Sequence, residues 1–455
     1  MVNGMKTVLA AATIAVGIVS APVAWAETLT DTLIAAYKHS GLLEQNRALL
    51  RAADEDVAQA VSTLRPVLNY YANATLSDPS LPGQDNLTGN LGLQASLLLY
   101  DGGGSKLAID AAKETVLATR EGLINIEQSV LLRAVTAYMN VRRDSEFVAL
   151  RQNNVRVITE QLRAAKDRFD VGEVTRTDVA LAESRLALAR ANLAAAQGNL
   201  ARSREEYRVA VGTYPKALRP APKRPATASS LEAARAIAYK THPAMRKVQH
   251  EVAAAELGIA RADALMKPSL KLTGRVNLDD RGNDSSSVGL ELGGPLYQGG
   301  KLSSLYRQAV ARRDATRAGL HLTRHDIAQG VGNAWASLAV ARATLQATER
   351  QIRAARVAFR GVKEEAKLGA RTTLDVLDAE QELLDAEANR ISALTDQYVA
   401  TYSLLSAMGL LTVDHLKLGI HTYDPSAYYN AISNAPADST QGKRLDRVLR
   451  ALGKQ

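Results

Sequence analysis

The chain contains no cysteine among its 455 residues, which excludes a disulfide framework, a thiolate metal site and lipid attachment through an N-terminal cysteine. Aromatic residues are scarce at 4%, and only 3 are phenylalanine. Past the N-terminus no apolar run reaches the ~20 residues that a membrane helix needs. Basic residues outnumber acidic ones by 56 to 47, giving a net charge of +9. They are interspersed with acids and form no block with interleaved aromatics, so nucleic acid is not an expected partner. Ala, Leu, Arg, Glu and Gln fill the chain instead, a composition suited to long helices.

The N-terminus stands apart. Lys6 precedes the apolar run Thr7–Val23, which ends in Ala24-Trp25-Ala26. This is the form of a secretory signal, and it predicts export, with Glu27 as the first mature residue.

The organising feature is a repeat. Residues 363–384, KEEAKLGARTTLDVLDAEQELL, meet residues 166–187, KDRFDVGEVTRTDVALAESRLA, when shifted by 197 positions. The same shift pairs Tyr100 with Tyr297, Gly102 with Gly299, Gly172 with Gly369, Asp178 with Asp375 and Gly212 with Gly409. One offset holding over such a span marks an internal duplication. The expected organisation is a signal at 1–26, repeats at 27–212 and 231–409, and a tail at 410–455. The Pro-rich connector 213–230, TYPKALRPAPKRPATASS, separates the repeats, and the tail ends in a basic amphipathic stretch, Lys443–Lys454.

Each repeat reads as helix, β-hairpin, then a long helical hairpin. Leu29–Arg65 has helical apolar spacing, interrupted at Gly41 and ended by Pro66. Its counterpart runs from near Ser230 to Pro268. In Leu68–Leu76 the even positions are apolar and the odd ones include Asn69, Asn73 and Thr75. Ser77–Asn86 is turn-rich, and Leu87–Leu99 then alternates again. In the second half Leu270, Leu272, Val276 and Leu278 alternate with Lys271, Thr273, Arg275 and Asn277, and Val288, Leu290 and Leu292 close the pattern. Such alternation fits a half-buried soluble sheet. The strand lengths and the charges Lys271, Arg275 and Glu291 on the polar face fit a membrane barrel with a wet lumen better. Four strands cannot close, because small barrels need about eight. Open edges are not tolerated in lipid. Membrane strands in this number therefore require several chains to share one barrel.

A glycine-rich exit follows each hairpin, at Tyr100–Gly104 and Tyr297–Gly300, and a long helix follows that. From Gly104 to Gly172 the chain runs 68 residues, ~100 Å as continuous helix. The return leg, Asp178–Gly212, is half as long, so the Leu29–Arg65 helix is expected to continue its column. Lys301–Leu368, Asp375–Gly409 and Ser230–Met266 repeat the arrangement, with coiled-coil-like seams.

Few motifs carry chemistry. Gly102–Lys106 (GGGSK) lacks the spacing of a phosphate loop and a surrounding βαβ unit. His321 and His325 stand four apart without the glutamate of a metalloprotease pair, and a solvated helix face accounts for them. No Ser/His/Asp constellation is present, and neither an enzyme nor a cofactor is expected.

The hairpin turns are more informative. Thr175-Arg176-Thr177-Asp178 and Thr372-Thr373-Leu374-Asp375 are capping boxes, which explain Asp178 and Asp375 structurally. Capping does not explain Arg371, opposite Val174, or Asp378, opposite Leu181. Asp375, Asp378, Glu382 and Asp385 lie on one helix stripe. Two readings stand: a solvated acidic face, or, if chains surround an axis, stacked acidic rings that favour cations.

Together these residues resemble the outer membrane efflux family, the TolC-like outer membrane factors. The resemblance rests on the duplication, Leu64-Arg65-Pro66, Leu99-Tyr100-Asp101-Gly102-Gly103, Phe169-Asp170-Val171-Gly172 and the run Gly369–Asp378, and it extends to about Leu418. It implies a mixed α/β membrane protein: a homotrimer whose twelve-stranded outer-membrane β-barrel, four strands per chain, continues into a periplasmic α-helical coiled-coil barrel. It further implies a passive duct in the outer membrane lipid, docked onto a periplasmic adaptor and an inner-membrane ABC or RND transporter, for type I secretion or multidrug efflux. By resemblance Arg371 belongs to the gate and bonds Asp178 and Thr177 of a neighbouring hairpin, and Asp375 and Asp378 form the constriction. Glu382 and Asp385 would continue the acidic lumen stripe. The chain departs from the family at Ala366, where a gate tyrosine is usual, so part of the closing network is missing or replaced. A periplasmic adaptor, or a coiled-coil protein without a pore, is the alternative. An adaptor would carry one helical hairpin and soluble β-domains rather than two copies with membrane-like strands.

Overall fold

The computed structural model describes residues 26–76 and 87–432, with Arg444, Arg447, Val448 and Ala451 of the tail. The signal up to residue 25, the turn Ser77–Asn86 and most of Lys443–Lys454 lie outside the described residues. In chain order the elements are α1 (Leu29–His39), α2 (Gly41–Ser62), β1 (Val67–Leu76), β2 (Leu87–Tyr100), α3 (Gly104–Asp170), α4 (Arg176–Val211), α5 (Leu231–Thr241), α6 (Pro243–Ala264), β3 (Ser269–Asp279), β4 (Asp284–Gly293), α7 (Lys301–Lys367), α8 (Thr373–Ala407) and α9 (Pro425–Ile432). The order of two helices, two strands and two helices occurs twice before α9.

The strands form one antiparallel sheet in the order β1-β2-β3-β4. Its register aligns the alternating residues into two faces. Tyr70 stands opposite Leu93, Leu93 opposite Val276, and Leu272 opposite Leu290, giving a continuous apolar face. On the other face Gln94 meets Arg275 and Lys271 meets Glu291. The Tyr71 ring crosses over Gly92, where any Cβ would lie 2.6 Å from it, and its hydroxyl donates to Asn277 Oδ1 at 3.3 Å. The apolar side chains have no cover: Tyr70 and Val288 are each 82% exposed. Among the described residues no helix is long and apolar enough to cross a membrane.

α3 and α7 each run 67 residues, ~100 Å at 1.5 Å per residue. Toward the sheet, α2 and α6 pack beside them; toward the other end, α4 and α8 do. α1 overlaps the end of α4 while α2 continues along α3, which is the expected continuation of the column. Gly41 does open a new helix, with Ser40 as the cap between α1 and α2. The second half differs from expectation, because Ser230–Met266 is not one helix. It breaks at His242, whose ψ of 123° is extended, since the ring of Pro243 disfavours helix in the residue before it. Gly409, at φ +75°, packs into this break, and a Cβ there would lie 2.6 Å from His242 Cα. Strand β4 also starts earlier than the alternation from Val288 suggests, since Ser285–Ser287 pair with Asn277–Arg275.

The main core is a belt where α1, mid-α3, the end of α4, α5, mid-α7, the end of α8 and residues 411–418 meet. Leu131, Tyr138, Tyr207, Leu404 and Leu411 are fully buried there. Polar ties hold the belt. Tyr207 Oη donates to Glu27 Oε1 at 2.7 Å, Tyr138 Oη donates to the Arg219 carbonyl at 2.6 Å, and the Val413 amide donates to Glu127 Oε1 at 2.7 Å. The tail, which lacks helical period in the sequence, forms α9 because tertiary contacts hold it. Arg47 lies over the Tyr423 ring at 5.4 Å, Arg120 lies over Tyr429 at 5.3 Å, and Tyr428 Oη donates to Glu55 at 2.6 Å.

Leu131→Ala should empty the centre of this belt and cost roughly 2–5 kcal/mol. The check is the denaturation midpoint of the detergent-solubilised protein, and an unchanged midpoint would mean that the belt is not the stability-determining core.

Candidate functional site

At the end away from the sheet, each long helix reverses through a short turn, residues 171–175 and 368–372. Gly172 and Gly369 adopt φ +78° and +75°, the left-handed backbone that stops a helix cheaply only at glycine. The hydrogen bonding is the same in both copies. The Glu173 amide donates to the Arg168 carbonyl and the Ala370 amide to the Glu365 carbonyl, each at 2.9 Å. Thr175 and Thr372 then cap α4 and α8. The Thr175 amide and hydroxyl donate to Asp178 Oδ2 at 2.9 and 2.7 Å. The Thr372 amide and hydroxyl both donate to Asp375 Oδ2 at 2.9 Å. The Thr175 hydroxyl and backbone bonds hold the Asp178 carboxyl below its ordinary pKa, and the Thr372 backbone and hydroxyl bonds do the same for Asp375. Both acids stay ionised at neutral pH. Thr177 is exposed on the first turn of α4, beside Asp178.

Arg371 lies exposed in the second turn. Within the chain its Nε donates to Glu365 Oε2 at 2.8 Å, and this bond raises its pKa further. Ala366, where the family resemblance places a tyrosine, is buried beside a 380 Å³ cleft between the two turns. Ala164, Arg168, Lys363 and Val376 also line this cleft.

The acidic stripe of α8 does not act as one unit. Asp375 serves the cap. Asp378 accepts from Arg185 Nη2 of α4 at 2.8 Å. Glu382 is exposed, and Asp385, also exposed, accepts from Gln381 Nε2 at 2.8 Å. A fifth acid, Glu380, is buried against α3, where Asn154 Nδ2 donates to its Oε1 at 3.3 Å. Burial pushes its pKa from 4.5 up to about 7, against the pull of Asn154 and of Lys363. Glu380 Oε2 has no hydrogen-bond partner.

Sequence reasoning missed Arg185, Glu380 and Asn154. A signal existed for two of them. Glu380 falls on the stripe of the buried Val376, Leu377 and Leu384, a charged residue at apolar spacing. Arg185 stands opposite Glu382 under the 197-residue shift, a reversal of charge between equivalent helix positions. The pair Asp378–Arg185 joins α8 to α4, and Glu380–Asn154 joins α8 to α3, so two bonds within one turn of α8 tie the second helical hairpin to the first.

Because the folded protein holds the Glu380 proton up to about pH 7 while an unfolded chain releases it near 4.5, stability should fall as pH rises through that window. Glu380→Gln should keep the Asn154 contact and lose this dependence. The measurement is the difference in thermal midpoint between variant and wild type at pH 5 and at pH 8. It should grow toward pH 8, and parallel curves would show that Glu380 does not titrate there.

A model of the outer membrane efflux protein family matches the chain at residues 35–213 and 236–410. The outer membrane efflux protein BepC of Brucella suis biovar 1 is 36% identical over 438 residues, covering 94% of this chain and 96% of that protein. The outer membrane protein TolC of Vibrio cholerae serotype O1 is 27% identical over 417 residues, covering 88% of this chain and 94% of TolC. Among solved structures, that of CusC shares the fold, with a TM-score of 0.77 at 18% identity over 85% of this chain and 92% of CusC. On the family match, the relatives and this fold, the chain belongs to the outer membrane efflux protein family, the channels that form the outer-membrane exit of export systems.

Proposed function

We propose that three copies of this chain form one gated exit duct, and the observation that carries this is the sheet. Among the described residues it has four strands, unpaired outer edges on β1 and β4, and one continuous apolar face. In hydrocarbon those edges need partners. Three copies supply twelve strands, enough to close a barrel with the apolar face toward lipid and Lys271, Arg275 and Glu291 toward water. The helices below continue the wall as a periplasmic tunnel. Residues 1–26 serve as the export signal, 27–212 and 231–409 as the two repeats, 213–230 as the connector between them and 410–455 as the tail.

The hairpin turns form the periplasmic entrance. Arg371 of one copy reaches Thr177 and Asp178 of its neighbour when the entrance is closed, and it exchanges that contact for Glu365 of its own turn. Asp375 and Asp378 line the narrowest ring, with Glu382 and Asp385 above them on the lumen face. The duct is passive. A periplasmic adaptor and an inner-membrane ABC or RND transporter supply cargo and energy, and the entrance opens as the helical hairpins untwist.

Planar-bilayer recording of the purified protein tests this. Arg371→Ala should raise conductance roughly twofold or more, the scale of losing one exposed charge pair per chain. An unchanged current would place the gate elsewhere. Asp375→Asn combined with Asp378→Asn should lower the K⁺/Cl⁻ permeability ratio, and an unchanged ratio would return these acids to an ordinary solvated face.

A further inference from the structure

The helices α4 and α8 begin alike and then diverge in charge. Under the 197-residue shift, Asp178, Leu181, Arg185 and Leu188 occupy the positions of Asp375, Asp378, Glu382 and Asp385. The second copy has four acids on this stripe, and the first has one acid, one base and two leucines. That single base, Arg185, points across to the second copy and binds Asp378 at 2.8 Å.

Four other bases near the turns are ion-paired elsewhere. Arg371 is engaged by Glu365 at 2.8 Å, Lys367 by Glu364 at 2.7 Å, Arg168 by Glu173 at 3.1 Å and Lys166 by Glu183 at 2.8 Å. On the α8 stripe the bonds of Asp375 and Asp385 come from neutral groups, Thr372 and Gln381. Asp378 alone has a cation within bonding distance among the described residues.

We infer that Arg185 is a selectivity-determining residue of the entrance, the counter-charge that neutralises Asp378 and leaves Asp375 as the acid that sets the field there. This rests on the reading above that Asp375 and Asp378 face the lumen. Around a three-fold axis, Asp378 contributes three negative charges and Arg185 three positive ones at bonding distance. They cancel beyond a few ångström, within the screening length of a salt solution. Asp375 is bonded by Thr372 and feels Arg371 only at longer range, so it keeps its charge. At the level of Asp375 and Asp378 the cation preference is therefore a difference between two rings of acids and one ring of bases, and both signs come from the same chain.

The arrangement also has a mechanical side. α4 and α8 touch only slightly, whereas α3 packs extensively on both. The Arg185–Asp378 bond is thus a tie between helices that otherwise make little contact. An opening movement of α7 and α8 against α3 and α4 breaks it and exposes the Asp378 charge as the pore widens.

The test is the K⁺/Cl⁻ permeability ratio, from reversal potentials of the purified wild type and variants in planar bilayers. Arg185→Gln should raise the ratio roughly 1.5- to 5-fold, the factor that corresponds to the coupling of an exposed charge pair. Asp378→Asn should lower it, by leaving Arg185 uncompensated. The double variant should return to the wild-type ratio because its net charge is the same. Arg185→Lys keeps the charge and should stay near wild type, which controls for misfolding of the glutamine variant. If Asp375→Asn and Asp378→Asn lower the ratio while Arg185→Gln leaves it unchanged, Arg185 does not act at the constriction and the inference fails with the entrance reading intact. If neither Asp375→Asn nor Asp378→Asn moves the ratio, the entrance reading itself fails and the inference falls with it.

Discussion

The structure depends on one constraint: a strand in hydrocarbon cannot leave its backbone amides and carbonyls unpaired. Among the described residues β1 bonds only β2, and β4 bonds only β3. Each edge strand is ten residues long and turns a row of polar groups outward. Every such group costs several kcal/mol in an apolar medium without a partner. A closed assembly removes the cost by pairing edge to edge, and no rearrangement within one chain does so. The helices below are continuous with the strands through the glycine turns at Gly102–Gly103 and Gly299–Gly300, so in the proposed trimer the symmetry of the strands extends to the helical end as well.

The proposed symmetry fits the way this chain is packed. Its main core is a single belt at mid-length, where helix breaks, connector and tail converge on α3 and α7. Away from the belt, apolar residues stay open to solvent: Val357 is 65% exposed and Leu188 51%. A single layer of helices does not bury enough apolar surface to fix its own ends. The hairpin turns therefore sit far from the rigid belt and are held by caps and a few polar bonds. This is the mechanical character a movable entrance needs.

Duplication supplied the frame, and divergence supplied the chemistry. Both copies keep the same left-handed glycine, the same amide-to-carbonyl bonds and the same Thr–Asp cap, because these make the turn. The copies differ where the turn does not need them to agree. Among the described residues, Asp378 and Glu380 on one side, and Arg185 and Asn154 on the other, make no side-chain bond within their own copy. They meet across the hairpins instead, so two near-identical elements became complementary.

The sequence by itself determined the strands, the long helices, the turns and their caps. Period-2 alternation, glycine at φ-positive positions and the Thr-x-x-Asp box are local signals, and each acts within a few residues. The 197-residue offset made them legible twice. The helix break at His242 was equally local, written in Pro243, and the unbroken reading of Ser230–Met266 overlooked it. Other features were decided only by tertiary structure. Glu380 is buried while its equivalent Glu183 pairs with Lys166 in the open, because α3 covers one and not the other. α9 forms because α2 and α3 offer its tyrosines a surface. The acidic stripe, four equal residues by spacing, separates into a cap, an ion pair and two exposed acids, since a spacing places charges on a face and only the neighbouring helix decides which of them are answered.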